Sequence, residues 1–310
     1  SEMVYEFPEL QGIIGSYYAK ADGENEAVSQ AIYHQYSPKG PNDGIPSQKA
    51  SQLLALADRL DTLVGFFSVG LKPTGSKDPF ALRRATLGII RLLEEGYEEN
   101  LHDILEKIFN LYHEVKKEEK SLPKTEVIKS IKTFFIERLK IYWRNQGFSH
   151  DYINAVLFQG INEPLYVIKA RLEALTSFVR NDKEGAENLF SGYKRANNIL
   201  NKEIKGSGLT TTPPTEILFN KEEEHTLLKL LNISNNEISS LVKSRKFVEA
   251  MAMLSPLRAP IDAFFENVQV NDEDPEIRQN RLNLLMYIQN IFFKMADFSK
   301  IDGLPHKNNE

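Results

Sequence analysis

The chain has 310 residues, 41% of them apolar and 26% charged, which suits about two packed domains and excludes a disordered polymer. It has no cysteine, which excludes disulfides and thiolate metal sites and fits a reducing, cytoplasmic setting. No run approaches the roughly 20 apolar residues that span a bilayer, no signal segment opens the chain, and the formal net charge of −5, taken bare, counts against nucleic-acid binding.

Apolar residues recur at three- and four-residue steps nearly throughout, with no period-two run, so the expected fold is all-α. A motif-rich opening runs from Glu6-Phe7-Pro8-Glu9-Leu10-Gln11-Gly12 through Gly15, Tyr17-Tyr18-Ala19 and Gly23-Glu24. Residues 37–47 cannot continue a helix, because three prolines and two glycines interrupt it. Ala55 to Leu63 carries Asp58-Arg59-Leu60-Asp61. Residues 72–91 are the most informative stretch: a turn with Pro73, Gly75 and Ser76 feeds a helix that is expected to open at Asp78-Pro79. Asp78 reads as the N-cap and Pro79 as the first helical residue, with Lys77, Arg83 and Arg84 around a helix N-terminus that would suit an anion. Either Lys72, Lys77, Arg83 and Arg84 meet phosphates, or Pro and Gly merely shape a turn in which Asp78 pairs with an arginine. Residues 114–126 read as a solvated connection, yet 116–145 hold nine Lys/Arg against four Asp/Glu, so a basic face can coexist with an acidic total.

Further along, Leu165, Ile168, Leu172, Leu175 and Phe178 line one helix face, as do Leu282, Leu285, Ile288, Phe292 and Met295. Between them, Lys194, Asn198 and Lys202 share a face at four-residue steps, with Arg195 and Asn197 beside them. Such donors can reach the bases and phosphates of an exposed RNA loop, or they are simply a solvated face. Residues 206–215 read as a loop. Asp274-Pro275-Glu276 reads as a helix start, which accounts for the acidic run Asp272-Glu273-Asp274 better than a cation site does. On the helix that follows, Arg278 is a candidate RNA contact and Arg281, beside the apolar Leu282, is expected to be structural. Arg258 is a weaker candidate. Of each adjacent aromatic pair (Tyr17-Tyr18, Phe66-Phe67, Phe134-Phe135, Phe264-Phe265), one ring is expected in the core and one at a boundary.

The run from Pro73 to Ala85, the opening motif, Ala55–Leu63, and Phe264-Phe265-Glu266-Asn267-Val268 with Arg278–Leu282 and Ala296-Asp297-Phe298-Ser299 together resemble the β subunit of bacterial heterotetrameric glycyl-tRNA synthetase. They occur in the family's order over nearly the whole chain. The resemblance implies an HD-like helical domain over 1–150, lacking its N-terminal part, and a DALR-type anticodon-binding bundle over 151–310. It places Gly192–Leu200 in the first half of that bundle and 260–301 in its last two helices. His34 and Asp58 fall where HD enzymes carry metal ligands. The family's His-Asp doublet would lie upstream of residue 1, and Tyr36 stands where many HD enzymes have a further His, so a metal-free, vestigial site is expected. The resemblance implies tRNA(Gly) and the synthetase α subunit as partners in an α2β2 assembly, with ATP and magnesium used at the α subunit and no cofactor or membrane contact here. No catalytic residue is expected in this chain. The rival expectations are a metal-dependent HD-type phosphohydrolase and a helical scaffold acting through protein contacts alone.

Overall fold

The computed structural model describes residues 2–116, 121–207 and 212–302. Among them there are α-helices, short 3-10 turns and no β-strand, the all-α architecture expected from the spacing of apolar residues. The chain forms two compact units: Ser1–Gly147 with Gly160–Tyr166, and Phe148–Gln159 with Val167–Glu310.

The first unit contains α1 (Glu2–Glu6), α2 (Ile13–Ala21), α3 (Glu26–His34), α4 (Lys49–Ser68), α5 (Leu82–Leu93), α6 (Leu101–Lys116) and α7 (Lys124–Asn145). The connector expected over 114–126 is therefore shorter than its composition suggests, and residues 117–120 of it lie outside the described residues. α4 is the hub, packing on α3, α5, α6 and α7. It can do so because Ala55, Leu63, Val64 and Phe67 are buried on successive turns, against Ile89, Ile90, Leu105, Ile131, Phe135 and Leu139 from its neighbours. Trp143 is fully buried and its indole N–H still finds a partner, Glu94 Oε1, at 2.7 Å. Gly88 on α5 is a close approach: a Cβ there would lie 2.3 Å from Arg59 Nε, so only glycine lets the Arg59 side chain cross the helix. Of the adjacent aromatic pairs, Phe67 and Phe135 enter the core as expected, whereas Tyr17 and Tyr18 are both exposed because α2 buries only Ser16 and Ala19.

The second unit contains α8 (His150–Val156), most of α9 (Leu165–Asn181), α10 (Lys183–Ser207), α11 (Glu222–Lys243), α12 (Phe247–Ala252), α13 (Arg258–Asn267) and α14 (Pro275–Phe293). α10 continues to Ser207, two residues into the loop expected over 206–215, of which 208–211 lie outside the described residues. α10 packs on α13 and α14, and α11 on α12, α13 and α14. An aromatic cluster fills the centre: Tyr193 stacks on Phe292 at 4.9 Å between centroids, and Phe190 meets Phe298 at 4.7 Å. Each such large ring contributes roughly 1.5–3 kcal/mol relative to an exposed position. α14 starts as its sequence dictates, with Asp274 accepting from Glu276 N at 2.8 Å and Ile277 N at 3.4 Å, and Pro275 in the first turn. Phe264 and Phe265 are both buried, unlike the one-in, one-out arrangement expected, because α13 is covered on two sides.

Candidate nucleic-acid interface

In the second unit, α10, the end of α13 and the loop that leads into α14 enclose a groove of about 550 Å³. Ile199, Val268 and Leu282 supply apolar lining. Arg195 forms its most distinctive feature. The guanidinium carbon lies 4.5 Å from the Phe265 ring centroid, and Nη2 reaches the Phe265 carbonyl at 3.5 Å. A guanidinium held over a ring is a platform on which a nucleobase can stack. The loop residues Asn267, Gln269 and Asn271 line the same groove with amides, which can present donors and acceptors to base edges. Asn267 Nδ2 donates to Ala263 O at 3.0 Å and Gln269 Nε2 to Asn271 O at 3.1 Å, so both are oriented from within the protein. Lys202 and Arg278 bring further positive charge, Arg278 being ion-paired with Glu203, and Glu266 adds an exposed carboxylate to the lining.

The loop wall is held by Arg281. Its side chain is 3% exposed and gives Nε to Glu224 Oε1 at 2.9 Å, Nη1 to Gln269 O at 2.8 Å and Asp272 Oδ2 at 2.6 Å, and Nη2 to Asn220 Oδ1 at 2.6 Å. This is the structural role expected for it. Asp272 is held below the usual carboxylate range, first by the backbone N–H of Asp274 and then by Arg281.

The sequence-predicted residues divide around this groove. Arg195, Lys202 and Arg278 line it. Lys194 and Asn198 lie on the neighbouring stripe, half-buried and exposed respectively, and do not line it. The groove-facing line of α10 is Arg195–Ile199–Lys202, one residue from the expected Lys194–Asn198–Lys202. Asn197 needs a larger correction: it is buried at 8% exposure and its Oδ1 accepts from Gln289 Nε2 at 2.5 Å, so it joins α10 to α14 inside the bundle and presents nothing to a ligand. Phe265, Asn267, Gln269 and Asn271 are the additions. Their signal in the sequence was the Phe264–Val268 motif and the polar alternation that follows it.

In the first unit the turn before α5 differs from its expected form. Thr74 and Lys77 exchange backbone hydrogen bonds at 3.1 and 2.9 Å, and α5 begins only at Leu82, after Ala81 in the left-handed region at φ 53°. Pro79 is therefore not the first helical residue. Asp78 still caps, at a longer span: its carboxylate accepts from Leu82 N at 2.8 Å and Arg83 N at 2.9 Å. It thus occupies the place where an external anion was expected. Arg83 folds back over the turn, giving Nη2 to Gly75 O at 2.5 Å and Nη1 to Lys77 O at 3.5 Å. Lys72, Lys77 and Arg84 are exposed.

His34 stacks edge-on against Tyr33, 4.9 Å between centroids, and Asp58 Oδ1 accepts from Gln35 Nε2 at 2.8 Å. Among the described residues no group of three or more His, Cys, Asp or Glu side chains is arranged to hold a metal ion. No described helix is long and apolar enough to cross a membrane.

The second unit, a helical bundle with an arginine over a ring, amides and the cation Lys202 at its groove, is of the anticodon-binding-domain class: residues 189–302 match the family described as the DALR anticodon binding domain. Residues 1–158 match the family described as the glycyl-tRNA synthetase beta subunit, and the chain belongs to that family. Relatives include the glycine–tRNA ligase beta subunits of Ruegeria sp. (strain TM1040), 41% identical, and of Cereibacter sphaeroides (strain ATCC 17029 / ATH 2.4.9), 42% identical. Both alignments cover 98% of this chain, but only 42% and 43% of those proteins, so the chain spans less than half the length of its relatives.

Proposed function

We propose that this chain is the RNA-holding part of a glycine–tRNA ligase beta subunit. The second unit takes the anticodon loop of tRNA(Gly) into the Arg195–Phe265 groove, with a base stacked on the guanidinium, amides of the 267–271 loop on base edges, and Lys202 on phosphate. The first unit, HD-like and without metal, touches the body or acceptor arm of the same RNA through exposed cations such as Lys72 and Lys77. The alpha subunit, as partner in an α2β2 assembly, carries the chemistry that uses glycine, ATP and magnesium. The contribution of this chain to the rate is positioning: a tRNA held at two places presents its 3′ end as an effectively intramolecular nucleophile.

The observation that carries this reading is the Arg195–Phe265 stack at a groove lined by amides and cations, within the segment that matches an anticodon-binding family. The test is titration of labelled tRNA(Gly) with the 310-residue chain, using wild-type and anticodon-altered transcripts. Arg195→Ala removes a stacking platform of about 1–3 kcal/mol and is expected to weaken binding of the wild-type transcript about tenfold or more, with much less effect on the altered one. Equal affinity of the two transcripts for the wild-type chain overturns the anticodon assignment.

A further inference from the structure

The first unit has a second concavity, of about 580 Å³, within the range of roughly 300–1,000 Å³ typical of small-ligand sites. Lys39, Arg83, Arg84 and Arg138 converge on it above Leu87 and Ile141, and no carboxylate is among its lining residues. Arg83 is engaged with the turn carbonyls. Lys39 Nζ, Arg84 and Arg138 form no ion pair among the described residues, and Arg138 Nε is buried with no hydrogen-bond partner among them. The one acid of the adjoining loop, Asp43, is turned onto its own backbone, accepting from Lys39 N at 2.7 Å and Gly44 N at 3.0 Å.

The wall that carries Lys39 is fixed from behind. Arg91 gives Nη1 to Gly40 O and Nη2 to Asp43 O, each at 2.5 Å. Arg59 gives Nη2 to Tyr36 O at 2.7 Å and Pro38 O at 3.1 Å, and Nη1 to Gln35 O at 3.1 Å. Two arginines thus consume five carbonyls of the 35–43 loop, and the cations in front face a cleft that needs little reordering when an anion arrives.

Four like charges around one cleft raise its potential and reward the entry of an anion. A phosphodiester brings one negative charge, whereas a phosphate monoester brings about 1.5–2 at neutral pH together with three acceptor oxygens. Leu87 and Ile141 give aliphatic lining with Tyr142 and the amides of Asn42, Asn145 and Gln146 beside them, and the four cations with no lining carboxylate are what set the cleft apart. We infer that it is a site for a terminal phosphate monoester, supplied by the 5′ end of the RNA that the chain holds. This rests on the RNA-binding reading above.

The test compares 3′-labelled tRNA(Gly) bearing a 5′-phosphate with the same RNA bearing a 5′-hydroxyl, titrated with the 310-residue chain and with its Lys39→Ala and Arg84→Ala variants. Both side chains are exposed, so the variants keep their fold. The wild-type chain is expected to prefer the phosphorylated RNA about tenfold, the scale of one charge-assisted contact. Each variant should lose most of that preference while binding the hydroxyl RNA as the wild type does. Equal binding of the two RNAs by the wild-type chain overturns the inference and leaves the RNA reading standing; binding of neither overturns both. If micromolar adenosine 5′-monophosphate or inorganic phosphate erases the preference, the cleft belongs to free phosphates and the RNA-end assignment falls.

Discussion

Replacing Arg281 with methionine should do more damage than any surface change in the second unit. Methionine keeps the length of the side chain and removes the charge. Glu224, which is 0% exposed, then loses its guanidinium partner and retains only the backbone donors Asn220 N and Lys221 N, each at 3.0 Å. Breaking a buried pair from one side costs about 3–5 kcal/mol, because the remaining charge is left uncompensated. Against a total of roughly 5–15 kcal/mol for a typical domain, that is from about a fifth of the stability to all of it. At about 2–4 °C per kcal/mol for a unit of this size, the midpoint should fall by roughly 6–20 °C. The assay is urea and thermal unfolding by circular dichroism of Arg281→Met, Glu224→Gln and the double variant. Glutamine can still accept from the two backbone N–H groups, so the double variant should be more stable than the sum of the singles predicts, by about 0.5–3 kcal/mol. If Arg281→Met costs less than about 1 kcal/mol, the scale of an exposed pair, or if the two changes are additive, the buried charge is not what organises this loop. RNA binding should fall with stability, because the same guanidinium holds Gln269 O and Asp272 in the groove wall.

Three further expectations follow from other contacts. Tyr193 is fully buried, and burial, with Asp297 adding its charge and a hydrogen bond at 3.2 Å, raises the phenol above its ordinary value of 10.0. Its contribution is full below pH 10, where both states are neutral, and is lost as pH rises further and the unfolded chain ionises first; Tyr193→Phe should cost about 0.5–1.5 kcal/mol at neutral pH and flatten the alkaline loss, and an unchanged alkaline profile would count against this. Gly88→Ala places a methyl 2.3 Å from Arg59 Nε and should cost about 1–3 kcal/mol, with faster proteolysis in the 35–43 loop that Arg59 holds; Gly44→Ala, which meets no neighbour and needs no left-handed backbone, is the control. Lys202→Ala should reduce the slope of log affinity against log salt by about 0.7 if Lys202 meets a single-stranded phosphate, and an unchanged slope removes it from the interface.

Much of the bundle could be read from spacing alone. Leu165, Ile168, Leu172 and Leu175 are buried, as are Leu282, Leu285, Ile288, Phe292 and Met295, because a helix with one apolar stripe has few ways to pack; Phe178 is half-buried, with Val179 beside it in the core. What the sequence concealed depended on partners distant along the chain. Lys194–Asn198–Lys202 advances by four and four residues and Arg195–Ile199–Lys202 by four and three, so each set stays within about 80° of one line and both read as helix faces. Only the position of α13 and the loop to α14 decides which of them lines a groove. Asn197 looks like a donor for RNA until Gln289, 92 residues away, is brought against it. The start of α5 was misplaced for a local reason. Asp78 was taken to cap from the adjacent position, whereas the left-handed Ala81 lets it reach over three residues to the same free N–H groups. The family motifs mark segments that line the groove, but not the atoms that face it.

The net charge of −5 deserves a physical resolution, since a polyanion is the proposed ligand. Screening limits a surface charge to about 8 Å at physiological ionic strength, so an approaching phosphate meets the local charge and not the total. Many of the carboxylates near the two candidate sites are already consumed. Glu203 is paired with Arg278, Glu224 and Asp272 with Arg281, and Asp43, Asp78 and Asp274 with backbone N–H groups. Lys39, Arg84, Arg195 and Lys202 have no carboxylate partner among the described residues. With Glu266 at the second unit's groove as the exception, the fold sorts its charges, spending negative ones on caps, turns and buried pairs and leaving positive ones at two concavities. An acidic chain made this way repels a phosphate at long range in dilute salt and attracts it at contact. Moderate salt should then speed encounter while it weakens the final contacts, so association and dissociation rates should both rise with ionic strength. A chain with a uniformly basic face would show association falling with salt, and that result would contradict the sorting of charge described by these contacts.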